Sequence, residues 1–266
     1  MIFNYIEWGV NPEIFRIGSF AVRWYGLLFA LAFYFSYLIL TRIYKKEGLS
    51  IELLDKLAMY VFVGTVIGAR LGHCLFYQPG YYLKNPVDII KIWEGGLASH
   101  GAVIGILIAL WLYSKKIKKT YTWLLDRVVI VVALSSSLIR LGNLINSEIL
   151  GMPSDMPWAF IFERIDLVPR HPTQIYEALS YFIFFIVLYI FYYKTELFKK
   201  TGLIFSISLI SLFSIRFIIE YFKEVQVDFE NSLFINLGQI LSIPFILIGL
   251  ILLFYSIKKK QISNSQ

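Results

Sequence analysis

One stretch of the sequence concentrates groups able to hold an anion: Arg140-Leu-Gly-Asn143-Leu-Ile-Asn146-Ser-Glu148-Ile-Leu-Gly151. A guanidinium can bind phosphate or carboxylate oxygens in pairs. The two asparagines and the glutamate add donors and acceptors, and the glycines allow close backbone approach. A second pair, Arg216 and Glu220, has the i,i+4 spacing that sets a cation and a carboxylate on one face of a helix. Other polar candidates are scattered: Arg23, Arg70, His73, His100, Gln174, Glu177 and Gln239. His73, His100 and His171 lie on separate elements without paired ligand spacing, and Cys74 is the single cysteine, so neither a metal site nor an intrachain disulfide is expected.

The elements that must position these groups are unusually apolar. Of 266 residues, 58% are hydrophobic and 16% charged, with a mean hydropathy of +0.68, against roughly 45 to 50% apolar residues in soluble domains. A soluble fold could not bury that much apolar surface. Aromatic residues gather at the ends of apolar runs, as in Phe29 to Tyr37 and Tyr189 to Tyr193, where rings favour the headgroup level. The net charge of +7 comes from short basic clusters between apolar runs rather than one continuous basic face, which argues against nucleic acid as a partner.

Apolar runs near or above the about 17 residues needed to cross a bilayer core occupy positions 20–41, 55–77, 97–114, 122–140, 174–193, 202–222 and 237–257. They predict an all-α polytopic membrane protein of seven transmembrane helices, forming a single integral membrane domain over 1–266 with a polar, disordered tail at 261–266. Met1 to Ile17 carries Glu7 and Glu13 and lacks a basic start, so the first run reads as an uncleaved span.

Lysine and arginine set the expected orientation. Arg42, Lys45, Lys46 and Lys56 follow the first run, Lys115, Lys116, Lys118 and Lys119 the third, Lys194, Lys199 and Lys200 the fifth, and Lys258, Lys259 and Lys260 the last. Basic segments remain cytoplasmic, so the N-terminus is expected outside and the C-terminus inside. The segments at 78–96 and 141–173 are then outer loops, long enough to cap a lipid site.

With that orientation the ionisable residues share one depth, the outer ends of the helices. Each costs at least about 2.5 to 3.5 kcal/mol at mid-bilayer unless it finds a partner or a wet cavity. Snorkelling to the headgroups could account for Arg23 alone, but it does not explain a set grouped at helical spacing, such as Arg216 with Glu220 or Arg140 with Asn143. Asp126 and Arg127, near the inner face, read as a structural charge pair, and Cys74 as packing. A transporter would carry polar groups through the midplane on broken helices, whereas the inner halves here are mostly Leu, Ile, Phe and Val.

The chain resembles the prolipoprotein diacylglyceryl transferase family. The resemblance rests on Arg23-Trp-Tyr-Gly26, Gly68-Ala-Arg70-Leu-Gly72, Trp93-Glu-Gly-Gly96 with Ser99-His100-Gly101-Ala102, the Arg140 to Gly151 run, Arg170-His-Pro-Thr-Gln174-Ile-Tyr-Glu177, Arg216-Phe-Ile-Ile-Glu220 and Gly238-Gln239-Ile-Leu-Ser-Ile-Pro244, in family order. His100-Gly101-Ala102 stands where the family has His-Gly-Gly. The family has seven spans with the N-terminus outside.

What the resemblance implies is a transfer of the diacylglyceryl group of phosphatidylglycerol to the cysteine thiol of a lipobox-containing preprolipoprotein signal peptide. A thioether forms and glycerol 1-phosphate leaves, in the first step of bacterial lipoprotein maturation. The implied setting is the bacterial cytoplasmic (inner) membrane, with the active site toward the outer leaflet and no cofactor. Arg140 and Arg216 then become the phosphate clamps, since guanidinium keeps its charge when partly desolvated. His100 becomes the candidate general base, the alternative being an imidazole that only hydrogen-bonds. Asn143, Asn146 and Glu148 are expected to hold the glycerol hydroxyls and Arg140, Glu220 to orient Arg216, and Tyr25, Gly151 and Gln174 to line the substrate pocket.

Overall fold

The computed structural model describes residues 5–18, 20–196, 199–225 and 233–263. In chain order these form β1 (Ile6–Glu7), β2 (Glu13–Ile17), β3 (Phe20–Arg23), α1 (Trp24–Lys46), α2 (Ile51–Phe76), α3 (Pro79–Lys84), two 3-10 turns, α4 (Ser99–Lys116), α5 (Tyr121–Asn146), β4 (Phe160–Ile161), β5 (Pro169–Arg170), α6 (Thr173–Lys194), α7 (Leu203–Glu220) and α8 (Leu237–Ser263). Among the described residues, five helices are long and apolar enough to cross a membrane: α1, α5, α6, α7 and α8. The helices α2 and α4 stand where the second and third apolar runs predict them. The first carries Glu52 and His73 within its end turns, and the second has 18 residues, ending in Lys115 and Lys116.

The chain is mostly helical rather than all-α. The first apolar run does not begin as helix, because Phe20–Arg23 pairs antiparallel with Glu13–Ile17 and α1 starts only at Trp24. The expected loop at 141–173 begins late, since α5 continues through Asn146, and then forms β4 and β5. With β1 these make a three-stranded sheet in the order β1-β4-β5. Such two-residue strands depend on partners far away in sequence, so no local periodicity reveals them. At the other end, α8 carries residues 261–263 of the expected tail as helix, while 264–266 lie outside the described residues.

Contacts divide the chain into two compact units, Met1–Leu38 with Asp126–Gln266, and Ile39–Leu125. In the first unit, α5 and α6 are joined by the Ser137 hydroxyl, which donates to the Ala178 carbonyl at 2.7 Å. Phe213 of α7 and Phe245 of α8 stack with ring centroids 4.3 Å apart. Asp126 accepts backbone N–H groups from Gly202 at 2.6 Å and Phe205 at 2.8 Å, capping the start of α7. Gly202 enters that helix at φ 87°, a left-handed conformation suited to glycine. The expected pairing with Arg127 is longer, 3.8 Å, so the main role of Asp126 is the cap. The three-stranded sheet rests on a small core of Leu144, Phe160 and Phe162 with Trp8, Leu150 and Ile175 against it, and Trp8 Nε1 donates to the Leu144 carbonyl at 3.0 Å.

In the second unit α2 and α4 meet through glycines. A Cβ on Gly72 would lie 2.6 Å from Gly101 Cα, and one on Gly64 would lie 2.6 Å from Ala109 Cβ. Small residues four apart let two helix backbones touch, the usual way apolar helices associate in lipid. Ala102 is only half-buried, so the methyl that departs from the family pattern falls off this tightest line of contact. Arg70, buried on α2, binds the following loop. It donates to the carbonyls of Asp88, Ile89 and Gly95 at 2.6, 2.9 and 2.5 Å, and to that of Gly96 at 3.4 Å.

Candidate active site

The C-terminal ends of α5 and α7 and the N-terminal end of α6 converge on a chain of alternating charges. Arg140 Nε lies 2.8 Å from Glu177 Oε2. That separation suits a charge-assisted hydrogen bond, yet the carboxylate oxygen lacks an aligned donor, so the contact is an ion pair. Glu177 Oε1 accepts from Lys223 Nζ at 3.1 Å, and the same ammonium donates to Glu220 Oε2 at 2.9 Å. Glu220 Oε2 is 3.9 Å from Arg216 Nε. Glu177 and Lys223 are buried, with side-chain exposures of 0% and 3%, whereas Arg140 and Arg216 keep 18% and 36%. The two arginines are thus the ends of the chain and the parts open to a ligand.

Both arginines line one cavity of about 280 Å³, together with Ser136, Ile139, Tyr181 and Leu212. Arg216 Nε is buried and has no hydrogen-bond partner among the described residues, a donor left for something else to accept.

The run after Arg140 folds around Glu148. Arg140 Nη1 donates to Asn143 Oδ1 at 3.2 Å, Asn143 Nδ2 to Glu148 Oε2 at 3.0 Å, and Asn146 Nδ2 to Glu148 Oε1 at 3.0 Å. The turn is strained, with Ser147 at φ 56° and Ile149 at φ 58°. A β-branched residue with positive φ is an outlier that surrounding structure must enforce. The enforcing contacts are visible: Gln174 Nε2 donates to the Glu148 carbonyl at 2.7 Å, Thr173 Oγ1 to the Ile149 carbonyl at 3.2 Å, and the Glu224 N–H to the Leu150 carbonyl at 3.0 Å.

The structure brings together Arg140, Asn143, Asn146, Glu148, Gln174, Arg216 and Glu220 of the expected set. Tyr25 joins them by packing its ring on Gly142, where an added Cβ would lie 2.7 Å from Tyr25 Cδ2. Gln174 is fully buried and reaches backbone. Gly151 makes room for His171, since a Cβ there would sit 2.7 Å from His171 Cβ. Gln174 thus holds the turn through its Nε2, while its buried Oε1 has no hydrogen-bond partner among the described residues. His100 belongs to the second unit, where its ring contacts Phe76 and Tyr77 at centroid distances of 5.5 and 5.7 Å.

Two members of the charge chain escape sequence reasoning as site residues. Glu177 is visible as a carboxylate opening an apolar run, but its partners lie 37 and 46 positions away. Lys223 looks like one outer basic residue among several, and the signal that finds it is its i,i+3 spacing from Glu220.

Beside the site, Arg170 anchors β5 through Asp166 at 2.6 Å and Glu224 at 3.0 Å. Hydrogen bonding from Arg170 holds the Asp166 carboxyl below the usual aspartate range. Burial pushes the His171 imidazole down, and its Nδ1 sits 3.1 Å from the Tyr176 hydroxyl.

Comparison with known proteins places the chain in a family. A family model described as prolipoprotein diacylglyceryl transferase matches residues 12–255. The chain is 50% identical over 254 residues to a phosphatidylglycerol–prolipoprotein diacylglyceryl transferase of Tolumonas auensis, covering 95% of this chain and 98% of that protein. It is 46% identical over 263 residues to the protein of that name from Chloroherpeton thalassium, covering 98% of each, and 43% identical over 269 residues to one from Bacteroides fragilis, covering 97% of each. With a match spanning nearly its whole length, the chain belongs to the prolipoprotein diacylglyceryl transferase family.

Proposed function

We propose that this chain transfers the diacylglyceryl group of phosphatidylglycerol to the cysteine thiol of a prolipoprotein lipobox, the first step of lipoprotein maturation. The observation that carries the reading is the pair of arginines, Arg140 and Arg216, lining one small cavity. At about 280 Å³ it lies at the lower edge of ligand pockets, which run from about 300 to 1,000 Å³, and so suits a phosphoglycerol headgroup whose acyl chains remain outside.

The chemistry explains why arginines are wanted. The thiolate sulfur attacks the glyceryl carbon, a C–S bond forms, and the C–O bond to phosphate breaks with its electron pair staying on oxygen. Phosphate charge rises from one negative in the diester toward two in glycerol phosphate. Fixed guanidinium groups therefore bind the transition state more strongly than the ground state, which is the condition for catalysis. Asn143, Asn146 and Glu148 offer donors and acceptors to the glycerol hydroxyls, and the packed turn beneath them keeps those groups aligned. The thiol proton goes to a base, for which His100 is the candidate.

The setting proposed is the cytoplasmic (inner) membrane of a bacterium, with seven spans, the N-terminus outside and the site toward the outer leaflet. The reading is supported by the lysine clusters after α1, α4 and α6 and at the end of α8, and by the polar residues at the opposite ends of these helices.

The test is purified protein in detergent micelles with phosphatidylglycerol and a lipobox peptide. Expected are a peptide mass increased by one diacylglyceryl group and an equal yield of glycerol phosphate. A folded protein that moves lipid across proteoliposomes but leaves the peptide unmodified would refute the assignment. A pH profile of wild type against His100→Asn tests the base: an unchanged alkaline dependence in the variant removes His100 from that role.

A further inference from the structure

We infer that Lys223 is a positioning residue that keeps Arg216 available to the anionic donor, by occupying Glu220, the carboxylate that would otherwise neutralise it, while sharing Glu177 with Arg140. The inference rests on the proposed phosphate clamp and deepens it.

Lys223 is buried and bonded to both acids at once, 3.1 Å from Glu177 Oε1 and 2.9 Å from Glu220 Oε2. Each of those acids also faces one arginine, Glu177 toward Arg140 at 2.8 Å and Glu220 toward Arg216 at 3.9 Å. Three cations thus share two carboxylates. The shorter of the two contacts on Glu220 belongs to Lys223, so Arg216 is only loosely compensated, and its Nε has no hydrogen-bond partner among the described residues.

Removing the ammonium would leave two acids for two arginines. In a medium of low dielectric Glu220 would then close on Arg216, as Glu177 already does on Arg140 at 2.8 Å. A bare acid left buried is costly, which drives that collapse. A phosphate would have to break a matched ion pair before it could bind. The backbone holds Lys223 in place, since it bridges antiparallel to Gly151 at the end of the strained turn, so both ends of the site depend on one residue.

The experiment compares KM for phosphatidylglycerol, inhibition by glycerol phosphate and thermal stability in three variants. Lys223→Met should raise KM by about tenfold or more, the lower range of close buried charge pairs, and weaken glycerol phosphate inhibition in parallel. Lys223→Arg, which keeps the charge and can reach both acids, should hold KM within about twofold of wild type. Lys223→Met with Glu220→Gln restores an excess cation and should recover KM even if turnover remains low.

A merely structural lysine predicts the reverse pattern, with stability lost and KM unmoved in the folded fraction; that result overturns the inference. So does a double variant whose KM stays as high as that of Lys223→Met. If Lys223→Met does not fold, Lys223→Gln keeps donors for both acids and removes only the charge, and the same KM rise is required of it. Arg216→Lys serves as the control: if it retains full activity the clamp itself is wrong, whereas its loss alongside an unmoved KM in Lys223→Met rejects the role of Lys223 alone.

Discussion

Two arginines of this chain are treated in opposite ways. Arg70, in the unit Ile39–Leu125, is buried and gives its N–H groups to four backbone carbonyls within the segment Asp88 to Gly96, while its guanidinium lies 5.1 Å from the centre of the Tyr82 ring. Arg216, in the other unit, keeps 36% of its side chain exposed, faces a cavity, and has one carboxylate at 3.9 Å. Neutral carbonyls use up the donors of Arg70 and fix a loop. A distant carboxylate holds Arg216 in place while leaving donors open. An arginine expensive to place in an apolar helix is therefore not a site by itself, and the distinction lies in whether its donors are already spent.

The largest expected effect separates the two arginines most sharply. Arg140→Lys and Arg216→Lys should each lower transfer by about 100-fold or more, the loss typical when a fixed donor to a developing anion is removed, because an ammonium cannot reproduce the two-pronged contact. Arg70→Lys should leave specific activity per folded molecule within a few-fold. Transfer rates normalised to folded protein in micelles decide this. Comparable losses at Arg70 and Arg216 would erase the distinction.

Next in size is Glu220→Gln. It keeps the shape of the side chain and frees an uncompensated cation, so the anionic donor should bind as well or better while the leaving phosphate is held less well. A fall in turnover of about tenfold with KM unchanged or lower is expected. Full specific activity in the folded variant would take Glu220 out of the site.

Arg70 itself should register in stability. Arg70→Met removes hydrogen bonds to four partly buried carbonyls, each worth about 0.5 to 1.5 kcal/mol. The midpoint of thermal unfolding in detergent should therefore drop for Arg70→Met and stay nearly unchanged for Arg216→Lys. Equal midpoints for Arg70→Met and wild type would mean that water replaces the guanidinium without cost.

Part of this arrangement is legible in the sequence and part is not, for a physical reason. Arg140 and Asn143 are i,i+3 neighbours whose contact is read from spacing, and the long helices follow from apolar length. Spacing also puts Arg216 beside Glu220, yet the closer partner of Glu220 is Lys223, beyond the end of α7. Glu177 meets Arg140 and Lys223 only because three helix ends converge, which no helical period encodes. Phe20–Arg23 misleads for the same kind of reason: it continues an apolar run, but Glu13–Ile17 claims it as a strand. Gln174 and Gly151 are chemically suited to a pocket, and only the packing shows that Gln174 Nε2 reaches the Glu148 carbonyl and that Gly151 lies against His171.

The smallest expected effect tests whether a third arginine behaves like Arg70 or like Arg216. Arg170 is buried but paired with carboxylates, Asp166 at 2.6 Å and Glu224 at 3.0 Å, on the edge of the three-stranded sheet. Arg170 holds the Asp166 carboxyl below its ordinary value, chiefly by hydrogen bonding. A group whose pKa is lower in the folded state contributes stability above its unfolded pKa, about 3.9 for aspartate, and loses that contribution as pH falls through the folded value. Asp166 keeps 31% of its side chain exposed, so solvent screening holds the contribution to a few tenths of a kcal/mol, in the range of surface pairs. Asp166→Asn should then melt slightly earlier than wild type between pH 5 and pH 7, by about 1 °C for a chain of this size, and the difference should shrink as pH drops below the unfolded aspartate value and vanish below the folded one. Activity should not change, because Arg170 spends its donors on the sheet and on the Gly151 carbonyl, 3.3 Å away. Thermal scans of both proteins across that pH series decide the matter: a gap that persists at low pH would show that Asp166 acts through packing, and a loss of transfer in Asp166→Asn would place Arg170 with Arg216 rather than with Arg70.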